Sequence, residues 1–415
     1  MGCGQRFPRD VNNLGEVRTA LARSGTMPLQ LEVTLAGQAT SFFFASLLRP
    51  NADRITSLHI STDICLEGTE LLFNFDFYDQ RTIAFVNLKR LVVRITAKPE
   101  VDEDDDLPIW LFDASTAQMP VLHHLELQGP YQLSLEANLH ALKYVRLPIH
   151  ELDDFGYGLE LCENIRNLQY DISDANLRGT ADLQLKEVIR SRLLRLAPDV
   201  LVVSDIYESI ASTILDLVHI AELPSLTLVF RSRSTLNPEW LNILSDIESC
   251  QSVSWSRSEE HCDKVELSAA GPSGKMRKIV WQQQLTDSFE HEDRLWNKFP
   301  LFQALEYLDI DYITWEELHN TMPDTPELRT LNLVLFGRNE LRSVLPKVFE
   351  RITRTKHLDR LCLQLTAQDL DDDDRRHFAQ SFIDALHEFG MPKAFRQLQS
   401  LKVTGLNLLE SFRSM

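Results

Sequence analysis

The sequence predicts an α/β solenoid in which short strands stack into a parallel inner sheet and helices or irregular segments return along the outer wall. The main observation is the apolar pattern L-x-x-L-x-L, which recurs about ten times between Ile55 and Val403. A single copy is too short to bury its own apolar side, so the copies must stack and share one core. Amphipathic, helix-like segments separate several copies. We therefore predict an irregular leucine-rich-repeat-like fold with the shape of a horseshoe.

Each copy of the pattern predicts one strand and the turn that enters it. The last two apolar residues are two positions apart, so in a strand their side chains point to the same side, and the residue between them points to the other side. The copies are Ile55-Leu58-Ile60, Leu88-Leu91-Val93, Leu122-Leu125-Leu127, Leu142-Val145-Leu147, Ile165-Leu168-Tyr170, Leu223-Leu226-Leu228, Leu305-Leu308-Ile310, Leu328-Leu331-Leu333, Leu358-Leu361-Leu363 and Leu398-Leu401-Val403.

The chain is expected to begin with a cap, because the end of a solenoid must cover the core of its outermost repeat. A helix at about residues 13–23 and a strand at Leu29–Leu35 would form this cap within residues 1–40. Residues 41–415 form the predicted solenoid. The copies of the pattern are widely spaced in its middle, so degenerate repeats are expected at about 180–300, with strands near 200–203, 253–255 and 279–281.

Three connecting segments have the apolar spacing of amphipathic helices, at residues 209–221, 341–352 and 371–389. The third begins with four aspartates at 371–374, which favour the N-terminal end of a helix. A second acidic run, at 100–106, reads as a solvated loop, with an acidic docking patch as the alternative.

Composition narrows the classes of partner and compartment. The chain has 415 residues and a net charge of −19, from 61 acidic and 42 basic residues. That balance argues against nucleic acid or an anionic membrane as the main partner, because both favour a basic surface. There is no run of 18 apolar residues, no secretory signal at the N-terminus, and six scattered cysteines. We expect an intracellular protein of the cytoplasm or nucleus.

No motif in the sequence predicts catalysis, a cofactor or a metal site. Residues 271–275, Gly-Pro-Ser-Gly-Lys, resemble a phosphate-binding loop, but Ala269 stands where that loop needs glycine and Met276 where it needs Ser or Thr. We interpret them as a turn between two strands. An uncharacterised enzyme with a pocket in residues 232–297 is the less favoured alternative.

The polar residues between the apolar positions line the predicted inner wall and are the candidate contacts for a protein partner on the concave face. Tyr and Arg are frequent anchors in protein interfaces. The candidates are Arg90, His124, Glu126, Tyr144, Arg146, Asn167, Gln169, Tyr307, Asp309, Asn332, Arg360 and Lys402.

The stretch VRTALARSGTMPLQLEV at residues 17–33 resembles the segment that follows the F-box in F-box proteins of mushroom-forming fungi (basidiomycetes). The segments NLKRL at 87–91 and MPVLHHLEL at 119–127 resemble repeat units of that family. The resemblance covers nearly the whole chain. It implies that the repeats hold the substrate of a cullin-type ubiquitin ligase, whereas an F-box binds the adaptor of that ligase.

The chain departs from this family before residue 17. Residues 1–16 contain neither the Leu-Pro-x-Glu start nor the Cys-x-x-Trp helix of an F-box. We therefore expect the substrate-receptor half alone, with the adaptor as a partner only if an F-box lies upstream. The alternative is a free-standing leucine-rich-repeat scaffold unrelated to ubiquitination.

Overall fold

Two compact units, Met1–Leu223 and Pro224–Met415, make up the chain in the computed structural model. The structure describes residues 5–6, 14–35, 48–62, 84–95, 110–112, 119–129, 131–133, 141–151, 154–155, 164–172, 183–218, 222–231, 240, 243–244, 247, 249–257, 264–282, 303–311, 314–315, 325–335, 358–365 and 400–403.

The first unit contains a parallel sheet in which the described strands follow the order β1-β2-β3-β4-β6-β8-β9-β10. Two further strands, β5 and β7, pair with each other in parallel. The strands are β1 (Gln5–Arg6), β2 (Leu29–Leu35), β3 (Ile55–Thr62), β4 (Arg90–Ile95), β5 (Trp110–Phe112), β6 (His124–Gln128), β7 (Tyr131–Leu133), β8 (Tyr144–Ile149), β9 (Asn167–Ile172) and β10 (Val200–Ile206).

The second unit contains a mixed sheet with the order β11-β14-β13-β12-β15-β16-β17-β18. Its described strands are β11 (Ser225–Phe230), β12 (Ser252–Arg257), β13 (Lys264–Ala270), β14 (Met276–Gln282), β15 (Tyr307–Asp311), β16 (Thr330–Leu335), β17 (Arg360–Leu365) and β18 (Ser400–Val403). The central strand β13 is antiparallel to both β12 and β14, and the other pairs are parallel. The prediction of a parallel sheet is therefore wrong at β13, because antiparallel strands do not need the long return that a parallel connection requires. The described turn at 271–275 joins β13 directly to β14.

Successive repeats are joined by backbone hydrogen bonds in their turns as well as in their strands. The carbonyl oxygen of Lys89 accepts hydrogen bonds from the amides of both His123 and His124, at 3.0 and 3.1 Å. The carbonyl of His123 does the same for the next turn, and that of Lys143 for the turn after it. In the second unit, Glu306 repeats the arrangement. Because a carbonyl oxygen has two lone pairs, it can accept hydrogen bonds from two successive amides of the next repeat. These two hydrogen bonds fix the start of the next strand.

The apolar pattern has the predicted positions in this architecture. Its first residue lies in the turn and its last two lie in the strand, and all three are buried in the copies that begin at Leu88, Leu122 and Leu142. Strands also form at the predicted degenerate repeats near 200–203, 253–255 and 279–281. The turn predicted at 271–275 is confirmed, and Gly274 supplies its left-handed residue with φ of 79°.

Helices in the described ranges are α1 (Leu14–Arg23), α2 (Leu183–Leu196) and α3 (Ala211–Val218). The predicted N-terminal helix and the strand Leu29–Leu35 are confirmed. The helix predicted at 209–221 forms as a 3₁₀ turn, Glu208–Ile210, followed by α3. The sequence did not predict α2. The helices predicted at 341–352 and 371–389 and the acidic run at 100–106 lie outside the described residues.

The described parts of the returning segments contribute buried side chains to the core of the first unit. Tyr170 on β9 packs edge to face against Phe155, with ring centroids 4.8 Å apart, and its hydroxyl donates to the Phe155 carbonyl. Helices α2 and α3 bury Ile189, Leu193 and Ile214, and they are joined by an ion pair. On the opposite side of the sheet, Arg90 is exposed, and His124 and Tyr144 are partly exposed.

The predicted boundary at residue 40 stays a prediction, whereas the observed separation at residues 223 and 224 was not anticipated. Strand β2 of the predicted cap pairs directly with β3. None of the helices in the described ranges is long and apolar enough to span a membrane.

Replacing Leu125 by alanine tests the shared core. Leu125 is fully buried in β6, so truncation leaves a cavity and should lower the free energy of unfolding by about 2–5 kcal/mol. The matched control is Leu194→Ala on α2, where the leucine is 47% exposed and the expected change is about 0.5 kcal/mol or less. Urea unfolding followed by circular dichroism measures both values. Equal losses in the two variants would contradict the described core.

Candidate functional site: a polar ladder on the first sheet

The register of the first sheet brings the candidate residues of the inner wall side by side. Arg90 pairs with His124, His124 with Tyr144, and Tyr144 with Asn167. One pleat further along, neighbouring strands bring Glu126, Arg146 and Gln169 together. We call the interacting set the polar ladder, which consists of Arg90, Arg94, His124, Glu126, Tyr144, Arg146, Gln169 and Asp171.

Glu126 is the centre of the polar ladder. One oxygen, Oε1, accepts hydrogen bonds from His124 Nε2 at 2.6 Å and Arg90 Nη2 at 3.1 Å. The other, Oε2, lies 3.5 Å from Arg94 Nη2. The hydrogen bond from His124 is the largest influence on the Glu126 carboxyl and, with the one from Arg90, lowers its pKa from 4.5 to about 2 although burial opposes the shift. Since an ionised carboxylate only accepts hydrogen bonds, Nε2 of His124 must carry a proton.

The aromatic rings of His124 and Tyr144 connect β6 to β8. They are stacked, with ring centroids 4.1 Å apart and an angle of 4° between the planes. The Tyr144 hydroxyl donates to Gln169 Oε1 on β9 at 3.3 Å. Burial raises the pKa of Tyr144, so the phenol stays a neutral donor at physiological pH. The hydroxyl therefore holds Gln169 in one orientation.

Arg146 and Asp171 form the far end of the polar ladder. Arg146 donates from Nε to Asp171 Oδ2 at 2.5 Å and from Nη2 to Oδ1 at 3.2 Å, a two-point pair. Burial alone would lower the pKa of Arg146, but the hydrogen bond and charge of Asp171 outweigh it and raise that pKa. Gln169 Nε2 donates to Asp171 Oδ1 and Ser204 Oγ, which extends the network to β10.

Sequence reasoning missed Arg94 and Asp171, which directly follow the last apolar residue of their copies. Continuing the alternation of the strand by two residues would have identified both. It also left out the pair between His59 Nδ1 and Glu32 Oε1, 3.6 Å apart on β3 and β2. Burial and the nearby charge of Arg94 lower the pKa of His59. Of the predicted set, Asn167 is exposed at the edge of the ladder.

The candidates of the second unit form a smaller cluster. Asp309 on β15 accepts hydrogen bonds from Asn332 Nδ2 at 2.7 Å and from Ser254 Oγ at 3.3 Å. Burial raises the pKa of Asp309, although both hydrogen bonds oppose the shift. Tyr307 on the same strand is 38% exposed, and partial burial raises its pKa.

Arg360 is exposed on β17, two strands from Asp309. Lys402 follows on β18, where its backbone pairs in register with Cys362, and its side chain lies outside the described residues. Within the described ranges, no group of three or more His, Cys, Asp or Glu residues could hold a metal ion.

No protein-family model matches the sequence, and no curated protein matches it either. The geometry of the polar ladder is therefore the main basis for reasoning about function.

Replacing Glu126 by glutamine tests the centre of the polar ladder. At pH 7 the variant leaves Arg90 and Arg94 without their shared carboxylate, and the free energy of unfolding should fall by about 1–3 kcal/mol. The difference from the wild-type protein should be constant above about pH 5. It should shrink as the pH falls from 4.5 towards 2, because the lowered pKa of folded Glu126 contributes stability only while the unfolded carboxyl is ionised.

The matched control is Glu187→Gln on α2, whose carboxylate is 76% exposed and contacts Arg190 at 4.0 Å. It should change stability by less than about 0.5 kcal/mol. Urea unfolding of the three proteins at pH values between 7 and 2.5 gives these differences directly. Ionisable groups that are the same in all three proteins contribute equally and cancel in the differences. A Glu126→Gln difference that persists unchanged at pH 2.5 would contradict the assignment.

Proposed function

We propose that this chain is a non-enzymatic, intracellular protein-binding module with an irregular leucine-rich-repeat-like horseshoe fold, and that it holds a protein partner against the polar side of its sheet. The observation that carries the proposal is the polar ladder, in which eight side chains from four adjacent strands are held by one another. The carbonyls of Lys89, His123 and Lys143 each accept hydrogen bonds from two amides of the next repeat, and this repetition supports the stacked-repeat architecture.

A surface that is ordered before binding suits this function. Each long side chain that must be fixed on binding costs about 0.5–1.5 kcal/mol. In the polar ladder, Glu126, Asp171 and the stacked rings already fix the arginines and Gln169. The ladder also presents the exposed Arg90 and the partly exposed Tyr144, and Arg and Tyr are residue types often found as anchors in interfaces. A broad wall of this kind suits an extended protein segment better than a small molecule, which favours a deep apolar cavity.

We further propose that the partner is a ubiquitination substrate, with this chain as the substrate-receptor half of an F-box/leucine-rich-repeat ligase subunit. This finer proposal is supported by the resemblance at residues 17–33 and 119–127. The ligase adaptor is a partner in this proposal only if an F-box lies upstream. The competing proposal is a scaffold that binds its partner without affecting its turnover.

Quantitative affinity purification from cells of the source organism tests the binding proposal. Wild-type bait is compared with Tyr144→Ala, which removes the stacked ring, and with Arg195→Ala on α2, an exposed substitution outside the polar ladder. Specific partners should be recovered about tenfold less by Tyr144→Ala, the loss expected for an interface anchor, and normally by Arg195→Ala.

Thermal melting of each bait shows whether a loss of partner reflects unfolding. Equal recovery of the same partners by both variants would contradict binding at the polar ladder. For a partner lost from Tyr144→Ala, deletion of the gene should lengthen the half-life of that partner and reduce its ubiquitin conjugates. An unchanged half-life would favour the scaffold.

A further inference from the structure

The charges of the polar ladder are layered. The side chains of Arg90 and Arg94 are 52% and 38% exposed, whereas that of Glu126 is 7% exposed and that of Asp171 is 14% exposed. The carboxylates therefore lie at the base of the ladder and the guanidiniums at its surface. Within the polar ladder, a partner therefore meets Arg90 and Arg94 before it meets Glu126 or Asp171.

Arg90 and Arg94 have hydrogen-bonding capacity to spare. A guanidinium carries five N–H donors. Among the described residues, Arg90 makes one hydrogen bond, to Glu126, and Arg94 makes one long contact to the same carboxylate. The Nε–H of Arg94 is buried with no hydrogen-bond partner in the described part of the chain. Arg146 differs, because Asp171 binds two of its nitrogens and lowers its availability.

The two arginines converge on one point of the sheet. They lie on either side of Val92 on β4, and alternation places both side chains on the polar side. Val92 is in register with Glu126 of β6 and with His59 of β3. Glu126 offsets the charge of one of the two arginines. The neighbouring carboxylate, Glu32, is turned towards His59.

We propose that Arg90 and Arg94 select an acidic, unphosphorylated segment of the partner, whose Asp or Glu carboxylates bind the free donors of the two guanidiniums. The inference rests on the proposed function, since it names the chemistry of the partner at the same site. Guanidinium and carboxylate are matched for two-point, charge-assisted hydrogen bonds. The net charge of −19 on the whole chain does not prevent an acidic segment from binding at these two arginines. Charges more than about 8 Å away are largely screened at physiological ionic strength, so contact chemistry decides.

Selection from a displayed library of random twelve-residue peptides tests the inference with the full-length chain as the immobilised protein. Peptides rich in Asp and Glu should be enriched on the wild-type protein. Their binding should weaken about tenfold or more in the double variant Arg90→Gln/Arg94→Gln and stay unchanged in Arg192→Gln/Arg195→Gln on α2. A second measurement needs no protein variant: Glu→Gln changes within a selected peptide should weaken its binding to the wild-type chain to a similar extent.

The outcomes separate this inference from the proposed function. Selected peptides that are neutral or basic, yet lose binding in Tyr144→Ala, would overturn the acidic specificity and keep the binding function. Peptides that bind all variants equally, or no enrichment at all, would count against both. If selected peptides bind only after phosphoserine replaces glutamate in synthetic versions, a phosphate-specific site replaces the carboxylate site proposed here.

Discussion

The structure depends on the fact that no single repeat of this chain can bury its own apolar side. In the copies that begin at Leu88, Leu122, Leu142 and Ile165, the pattern supplies one strand and the turn that enters it, and the strands of successive copies pair with one another. The turn carbonyls of Lys89, His123 and Lys143 fix that contact by accepting two amides each. Register follows from this constraint, because a slip of one residue would turn every leucine of a strand to the polar side.

Register in turn creates the polar ladder. Residues far apart in sequence, such as Arg90 and Glu126, become neighbours because their strands are aligned residue by residue. A carboxylate as buried as that of Glu126 must be compensated, and His124 and the two arginines provide the compensation. The same contacts that satisfy Glu126 hold the guanidiniums near the surface. Stability and a surface suited to binding thus arise from one set of interactions.

The sequence predicted much of the fold because apolar period and turn position are local signals. The strands of the L-x-x-L-x-L copies and the turn at 271–275 were predicted from neighbouring residues. The N-terminal helix and the strand Leu29–Leu35 were predicted from the need for a cap and from the resemblance at residues 17–33. The antiparallel strand β13 was not, because the pattern shows that a strand forms but not the direction in which it pairs. Helix α2 lies in a long gap between clear repeats and has a weaker apolar stripe.

The site was predicted in part for similar reasons. Alternation around the apolar positions identified Arg90, His124, Glu126, Tyr144, Arg146 and Gln169 as residues of one face. Their partners Arg94 and Asp171 lie beyond the repeating motif, so the motif could not point to them. Which arginine would be tied to a carboxylate and which would keep free donors depends on side-chain geometry, and no period in the sequence encodes that.

Photo-crosslinking from the polar ladder tests the central claim most directly. A photoreactive phenylalanine derivative replaces Tyr144 in one protein and Leu194 on the exposed side of α2 in another, and both are expressed in cells of the source organism. The account predicts a specific crosslinked protein from position 144 and none of that protein from position 194. The same partner crosslinked from position 194 and absent from position 144 would contradict binding at the polar ladder.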